Sequence, residues 1–177
     1  ADVLKKEFGT TIDAPDVHIL DPFTGTGTFL TRLMQSGLIP KDKLNEKFKN
    51  DIHANEIVPL AYYVASMNLE STLHELVPNL EYEPNPVMIW TDTFADHDPK
   101  SFFSTSLSEN NARLAKTNEL DIRVIIGNPP YSVGQDSQND DNANEHYEKL
   151  DKRLTATYVS RTNSTLKGKL FDSYIRA

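Results

Sequence analysis

Short apolar runs alternate with stretches of helical period along the chain. Asp2–Phe8 reads as the tail of a helix, followed by a polar turn ending at Pro15. Val17-His18-Ile19-Leu20 is a short apolar run stopped by Asp21-Pro22, the pattern of a buried strand with a turn after it. Phe29, Leu30, Leu33 and Met34 then recur at helical spacing from Thr28, with Gly37 as the stop. The charged stretch Lys41–Asn50 leads into a second strand near Ile52–Glu56. Pro59 suits the first turn of a helix whose apolar face is expected at Leu60, Tyr63, Val64, Met67 and Leu73, running to Pro78. Val87–Trp90 predicts a third strand, ending at Thr91-Asp92-Thr93-Phe94, and Ser101–Lys116 reads as an irregular excursion. Leu120–Ile126 is the strongest strand signal: Val124, Ile125 and Ile126 predict burial on both faces, broken abruptly by Gly127-Asn128-Pro129-Pro130-Tyr131. Ser132–Asn144 collapses to Ser, Gly, Gln, Asp and Asn, the composition of a flexible loop, with helix expected again over Tyr147–Tyr158 and Leu166–Arg176.

Strands alternating with helices predict an α/β fold with a mostly parallel sheet. In such sheets a ligand sits beyond the carboxyl ends of the strands, where strand order reverses. Asp21, Glu56, Asp92 and Asn128 each fall at the end of an expected strand, which points to one pocket. The length of 177 residues suits one domain. A net charge of −8 excludes the evenly basic surface of a small stand-alone nucleic-acid binder. Cysteine is absent, which excludes a thiol nucleophile, a zinc ribbon and a disulfide scaffold. No apolar run reaches the ~18 residues of a membrane span and no signal-peptide pattern opens the chain, so a cytoplasmic setting without membrane partners is expected. Ala1 is not a natural start and the last residues read as mid-helix, so a piece of a longer polypeptide is expected.

The turn Asp21-Pro22-Phe23-Thr24-Gly25-Thr26-Gly27-Thr28 joins a strand to a helix. Gly25 and Gly27 let the backbone approach a ligand without a Cβ in the way, although two glycines also suit a plain tight turn. Phosphate is the losing option there. No Gly-Lys-Ser/Thr closes the loop, Leu30 stands where a dinucleotide fingerprint wants a third glycine, and Asp21 suits an ammonium better than a pyrophosphate. Glu56 can accept hydrogen bonds from both hydroxyls of a ribose, Ile57 can lie on a purine face, and Asp92 can accept from an adenine amino group. Taken alone, Glu56 suits a solvated strand end and Asp92 a turn before a helix. Asn128-Pro129-Pro130-Tyr131 is more specific. Two prolines remove two N–H donors and stiffen the backbone, leaving carbonyls, an asparagine oxygen and a ring: a corner built for a planar group bearing an NH₂.

DPFTGTGTF, Asn55-Glu56-Ile57, TDTF and GNPPY, in that order, resemble the motifs of S-adenosylmethionine-dependent amino-methyltransferases, and in particular the gamma-type N6-adenine DNA methyltransferases. HILDPFTGTGTFL, GNPPYSVGQ and LFDSYIRA are similar to the methylase module of single-polypeptide, type ISP restriction–modification enzymes and their helicase-like relatives. The resemblance covers roughly residues 17–131 and 165–177. It implies a Rossmann-like sheet of about seven strands, of which four are read here, leaving the fold incomplete within this chain. It divides the chain into a leading helix and turn (1–16), the cofactor and catalytic motifs (17–131), a flexible acidic loop (132–151) and a basic helical segment (152–177).

By that resemblance S-adenosylmethionine is the cofactor. Asp21, Pro22, Thr24, Gly25 and Gly27 would line its methionine end, Glu56 would hold the ribose, Ile57 would touch the adenine and Asp92 would read its amino group. Asn128 and Pro129 would accept the two protons of the target amine, with Pro130 stiffening the corner and Tyr131 stacking on the target base. Thr93 separates Asp92 from Phe94, which puts Phe94 in doubt as an adenine platform. The implied activity is methylation of adenine N6 in DNA on a flipped base, within a larger enzyme that carries target recognition and nuclease or helicase parts, with the fragment alone inactive. Cytosine N4, an RNA base, a protein glutamine, or an inactive cofactor-binding module are the alternatives. Asp136–Asp151 holds six acids against one lysine and does not read as a DNA groove; Lys152–Lys169 carries five basic residues and no acid, the pattern of a solvated helix face or a contact to the DNA backbone. His97 between Asp96 and Asp98 lacks a metal-ligand set, and no metal is expected.

Overall fold

The computed structural model describes residues 1–95, 107–130 and 147–163. The chain divides into two compact units, Ala1–Thr93 with Lys100–Gly127, and Phe94–Pro99 with Asn128–Ala177.

The first unit opens with α1 (Asp2–Phe8), closed by Gly9 in the left-handed region. It continues through β1 (His18–Asp21), α2 (Thr28–Gln35), α3 (Lys41–Asn50), β2 (Ile52–Glu56), α4 (Pro59–Leu76), β3 (Met88–Trp90), α5 (Ser108–Asn118) and β4 (Ile122–Ile125). The strands form one parallel sheet in the order β3-β2-β1-β4. Strand order therefore reverses between β1 and β4. Register puts Ile19 opposite Ile52, Asp21 opposite Ala54 and Ala54 opposite Met88, so these residues share one face. That face meets Leu30, Leu33 and Met34 of α2, Leu44 and Phe48 of α3, and Ala65, Leu69 and Leu73 of α4 in a single core.

Four expectations need correction. Lys41–Asn50 is a helix rather than a charged approach to β2: Leu44, Lys47 and Phe48 are buried at helical spacing. Lys47 is admitted because its ammonium donates to the carbonyls of Ala14 (2.6 Å) and Val17 (2.8 Å) and to Asp51 (3.0 Å), which uses all three of its protons. Within the expected excursion, α5 forms from Ser108, and its Asn110 covers the free edge of β3 by accepting Trp90 N–H at 2.8 Å and donating to the Trp90 carbonyl at 3.0 Å. The buried face of α4 is Ala65, Leu69, Thr72 and Leu73, whereas Leu60, Tyr63 and Met67 are exposed. The first turns of α4 (Leu60, Ala61, Tyr62, Tyr63, Val64) are apolar on every side, so spacing has little to select there, and small Ala65 packs inward where α2 lies against α4. Finally, β4 is not buried on both faces. Val124 and Ile126 pack on the core, while Ile125 points away and is 69% exposed. A parallel strand is buried twice only where helices lie on both sides of it.

In the second unit, α6 (Glu148–Leu154) runs into one π-helical turn, Thr155–Val159. Phe94 and Tyr147 meet there with ring centroids 5.5 Å apart at 51°. Tyr131, most of the 132–151 loop, His97 and the helix expected over Leu166–Arg176 lie outside the described residues.

Candidate functional site

Asp21 ends β1 and is fully buried. Its Oδ1 accepts the Phe23 N–H at 3.1 Å, while its Oδ2 is buried with no hydrogen-bond partner. Burial pushes its pKa up to about 6; the Phe23 N–H works against that rise and the charge of Glu56 adds to it. Gly127 follows β4 beside it. A Cβ at Gly127 would stand 2.9 Å from Asp21 Oδ1 and 3.3 Å from Pro22 Cδ, so the glycine lets β4 end directly against that carboxylate, at the point where strand order reverses.

The turn after Asp21 is tied to the tip of β2. The Thr24 N–H donates to the Asn55 carbonyl at 3.0 Å, and the Thr24 hydroxyl donates back to the Asp21 carbonyl at 3.0 Å. The Gly25 N–H donates to Glu56 Oε2 at 2.7 Å, and Glu56 Oε1 accepts the Val58 N–H at 2.7 Å. Gly25 and Gly27 have φ of 57° and 86°, a region that strains any residue with a Cβ. Gly27 also precedes α2 at close approach to α4: a Cβ there would lie 3.5 Å from Ala65.

β3 contributes the third tip. The Thr91 N–H donates to the Glu56 carbonyl at 3.1 Å, which brings half-buried Asp92 next to the end of β2. The Trp90 indole donates to the Ile57 carbonyl at 2.8 Å, leaving the Ile57 side chain half exposed. Thr93, the residue that displaces Phe94, donates its hydroxyl to the Pro22 carbonyl at 2.6 Å and accepts from Asn55 Nδ2 at 3.3 Å.

Asp21, Pro22, Thr24, Gly25, Gly27, Glu56, Ile57 and Asp92 thus gather on three neighbouring strand tips of the first unit. Asn128, Pro129 and Pro130 follow Gly127 immediately and belong to the second unit. Three residues that stand within the motifs were given no role of their own by the sequence reading. Gly127 carried a signal, a glycine set between a β-branched run and Asn-Pro-Pro. Asn55 and Thr93 carried none, because their roles arise from bonds between separate strand tips. The cluster carries three carboxylates, Asp21, Glu56 and Asp92, and Glu56 already occupies the Gly25 N–H. Such a site suits a cationic ligand and opposes a phosphate, which needs free N–H groups.

At the opposite end of the strands, Asp16, His18 and Asp51 place potential ligand atoms within 4.8 Å of one another. The cluster closes on itself without an ion: Asp51 pairs with Lys47 through Oδ2 at 3.0 Å and with His18 through Oδ1 at 3.4 Å. His53 lies 3.3 Å from His18 Nδ1, and burial with the neighbouring His18 pushes its pKa down to about 4. Among the described residues no helix is long and apolar enough to cross a membrane.

The family described as N-6 DNA Methylase matches residues 6–165. Three solved structures are similar over 99% of the chain. A DrdV–DNA complex has 38% identity and a TM-score of 0.86. A nuclease-deletion mutant of the type ISP restriction–modification enzyme LlaGI, in complex with a DNA substrate mimic, has 40% and 0.80. The ATP-dependent type ISP restriction–modification enzyme LlaBIII, bound to DNA, has 41% and 0.82. The chain spans only 17%, 15% and 12% of those three polypeptides. No curated protein matches the chain significantly.

Proposed function

Since this chain belongs to the N-6 DNA methylase family, we propose that it binds S-adenosylmethionine and transfers its methyl group to the N6 amino group of an adenine in DNA, as one module of a longer restriction–modification enzyme. The observation that carries the reading is the orphaned Oδ2 of Asp21, a buried acceptor beside a glycine-lined turn, suited to the ammonium of the methionine end. Pro22, Thr24, Gly25 and Gly27 shape the turn around that end. Both oxygens of Glu56 hold a backbone N–H and each keeps a further lone pair for a ribose hydroxyl. The exposed side chain of Ile57 offers an apolar surface to the purine, and Asp92 an acceptor to its amino group.

The bound cofactor supplies a methyl group on a positively charged sulfur, ready for in-line displacement by nitrogen. An adenine amine is a poor nucleophile because its lone pair is delocalised into the ring. The Asn128 side-chain oxygen and the Pro129 carbonyl accept hydrogen bonds from its two N–H groups, which favours a pyramidal nitrogen with the lone pair aimed outward. Once the methyl is on nitrogen and the bond electrons stay with sulfur, one of those protons is released to solvent. Pro130 keeps that corner stiff, and Tyr131 stacks on the base, offsetting part of the few kcal/mol needed to flip it from the duplex. Catalysis is then alignment and fixed dipoles, worth up to ~7–11 kcal/mol when geometry is near ideal.

Radiolabelled methyl transfer by the full-length enzyme tests the reading. The label is expected on adenine N6 of DNA, and Asn128→Ala is expected to abolish transfer while cofactor binding stays nearly intact. Label on cytosine, RNA or protein overturns the substrate assignment. Loss of binding and transfer together overturns the role of Asn128.

A further inference from the structure

We propose that Thr93 is a positioning residue that holds the cofactor turn in its binding shape, an inference that rests on the S-adenosylmethionine reading above. The turn has two attachments to the tip of β2, Thr24 N–H to the Asn55 carbonyl and Gly25 N–H to Glu56. The second uses the same carboxylate that is assigned to the ribose, so that attachment shares its acceptor with the ligand. The bond from Thr93 to the Pro22 carbonyl uses no ligand-facing atom. It fixes the residue directly after Asp21 and therefore the direction in which that carboxylate points.

Thr93 Oγ1 accepts from Asn55 Nδ2 at 3.3 Å, and Asn55 is only 8% exposed. With an incoming N–H on one side, the single hydroxyl proton is directed to the Pro22 carbonyl 2.6 Å away. The relay Asn55–Thr93–Pro22 joins the tips of β1, β2 and β3 through two side-chain donors that end on a backbone carbonyl. Thr93 stands directly after Asp92, and its hydroxyl fastens the turn from that place.

The test is titration of S-adenosylmethionine into the full-length wild-type enzyme and its Thr93→Val and Thr93→Ser variants, with circular dichroism to confirm that each is folded. Valine keeps the size and branching but has no hydroxyl; serine keeps the hydroxyl. The expected result is a Kd raised about five- to tenfold in T93V, the effect of one hydrogen bond, and restored to within about twofold in T93S. Wild-type binding with an unchanged T93V overturns the relay and leaves the cofactor reading standing. Equal weakening in both variants also overturns it, because the methyl group rather than the hydroxyl would then matter. Absence of binding by the wild-type enzyme overturns the cofactor reading, and the relay with it.

Discussion

Asp21 is held where its charge is expensive. An ordinary aspartate titrates at 3.8, and burial raises this one to about 6. The native state therefore binds the proton more readily than the unfolded chain does. Stability from this group is fully present below pH ~4, falls as pH rises from ~4 to ~6, and stays reduced above that, by about 3 kcal/mol. Asp21→Asn keeps the shape and removes the charge. We expect it to stabilise the ligand-free chain above pH ~6, with the advantage vanishing below pH ~4. The same substitution removes the proposed partner of the cofactor ammonium, so S-adenosylmethionine binding should be lost. Denaturant unfolding at several pH values, beside cofactor titration, checks both halves. A variant less stable than wild type at neutral pH, or one that binds the cofactor undiminished, contradicts the role given to this carboxylate.

Among the elements, α4 separates what spacing can tell from what packing decides. Its first residue was legible from Pro59 and its end from Pro78, but Leu60, Tyr63 and Met67 were expected inward and lie outward. The buried face is the one that carries Ala65, Leu69, Thr72 and Leu73 against the core, a choice that apolar spacing along α4 does not record. Leu69→Ala should therefore cost ~2–5 kcal/mol of unfolding free energy. Met67→Gln, on the exposed side, should stay within ~0.5 kcal/mol of wild type. Chemical denaturation of the two variants checks the assignment, and a reversed order sinks it. The strands and the turn Asp21–Thr28 were legible because Asp-Pro, Gly and Asn-Pro-Pro mark their ends. In α3 the pair Leu44 and Phe48 was hidden by lysines, one of which is buried through three polar partners. That Asp21, Glu56 and Asp92 lie at strand ends followed from the strand pattern, yet the bond from Gly25 to Glu56 and the relay through Asn55 and Thr93 could not be read, since they depend on how three strand tips meet.

At the scale of the molecule, the two edges of the described sheet differ. The β3 edge is closed by Asn110, whose amide takes the place of a neighbouring strand. At the other edge, among the described residues no further strand pairs with β4, and Ile125 stands 69% exposed on the face turned from the core. An open edge beside an exposed β-branched residue is a template for pairing with another chain. The net charge of −8 opposes that approach, but repulsion between exposed charges is screened beyond about 8 Å at physiological salt. The chain by itself should therefore self-associate, more strongly as salt is raised. Ile125→Lys places a charge on the exposed face without touching the core packing of Val124 and Ile126, so it should shift the chain towards monomer while leaving its far-UV spectrum and cofactor affinity unchanged. Sedimentation velocity at low and high salt separates the outcomes. Monomeric wild type at both salts would mean that β4 is no pairing edge, and an I125K that associates equally would place the contact elsewhere on the surface.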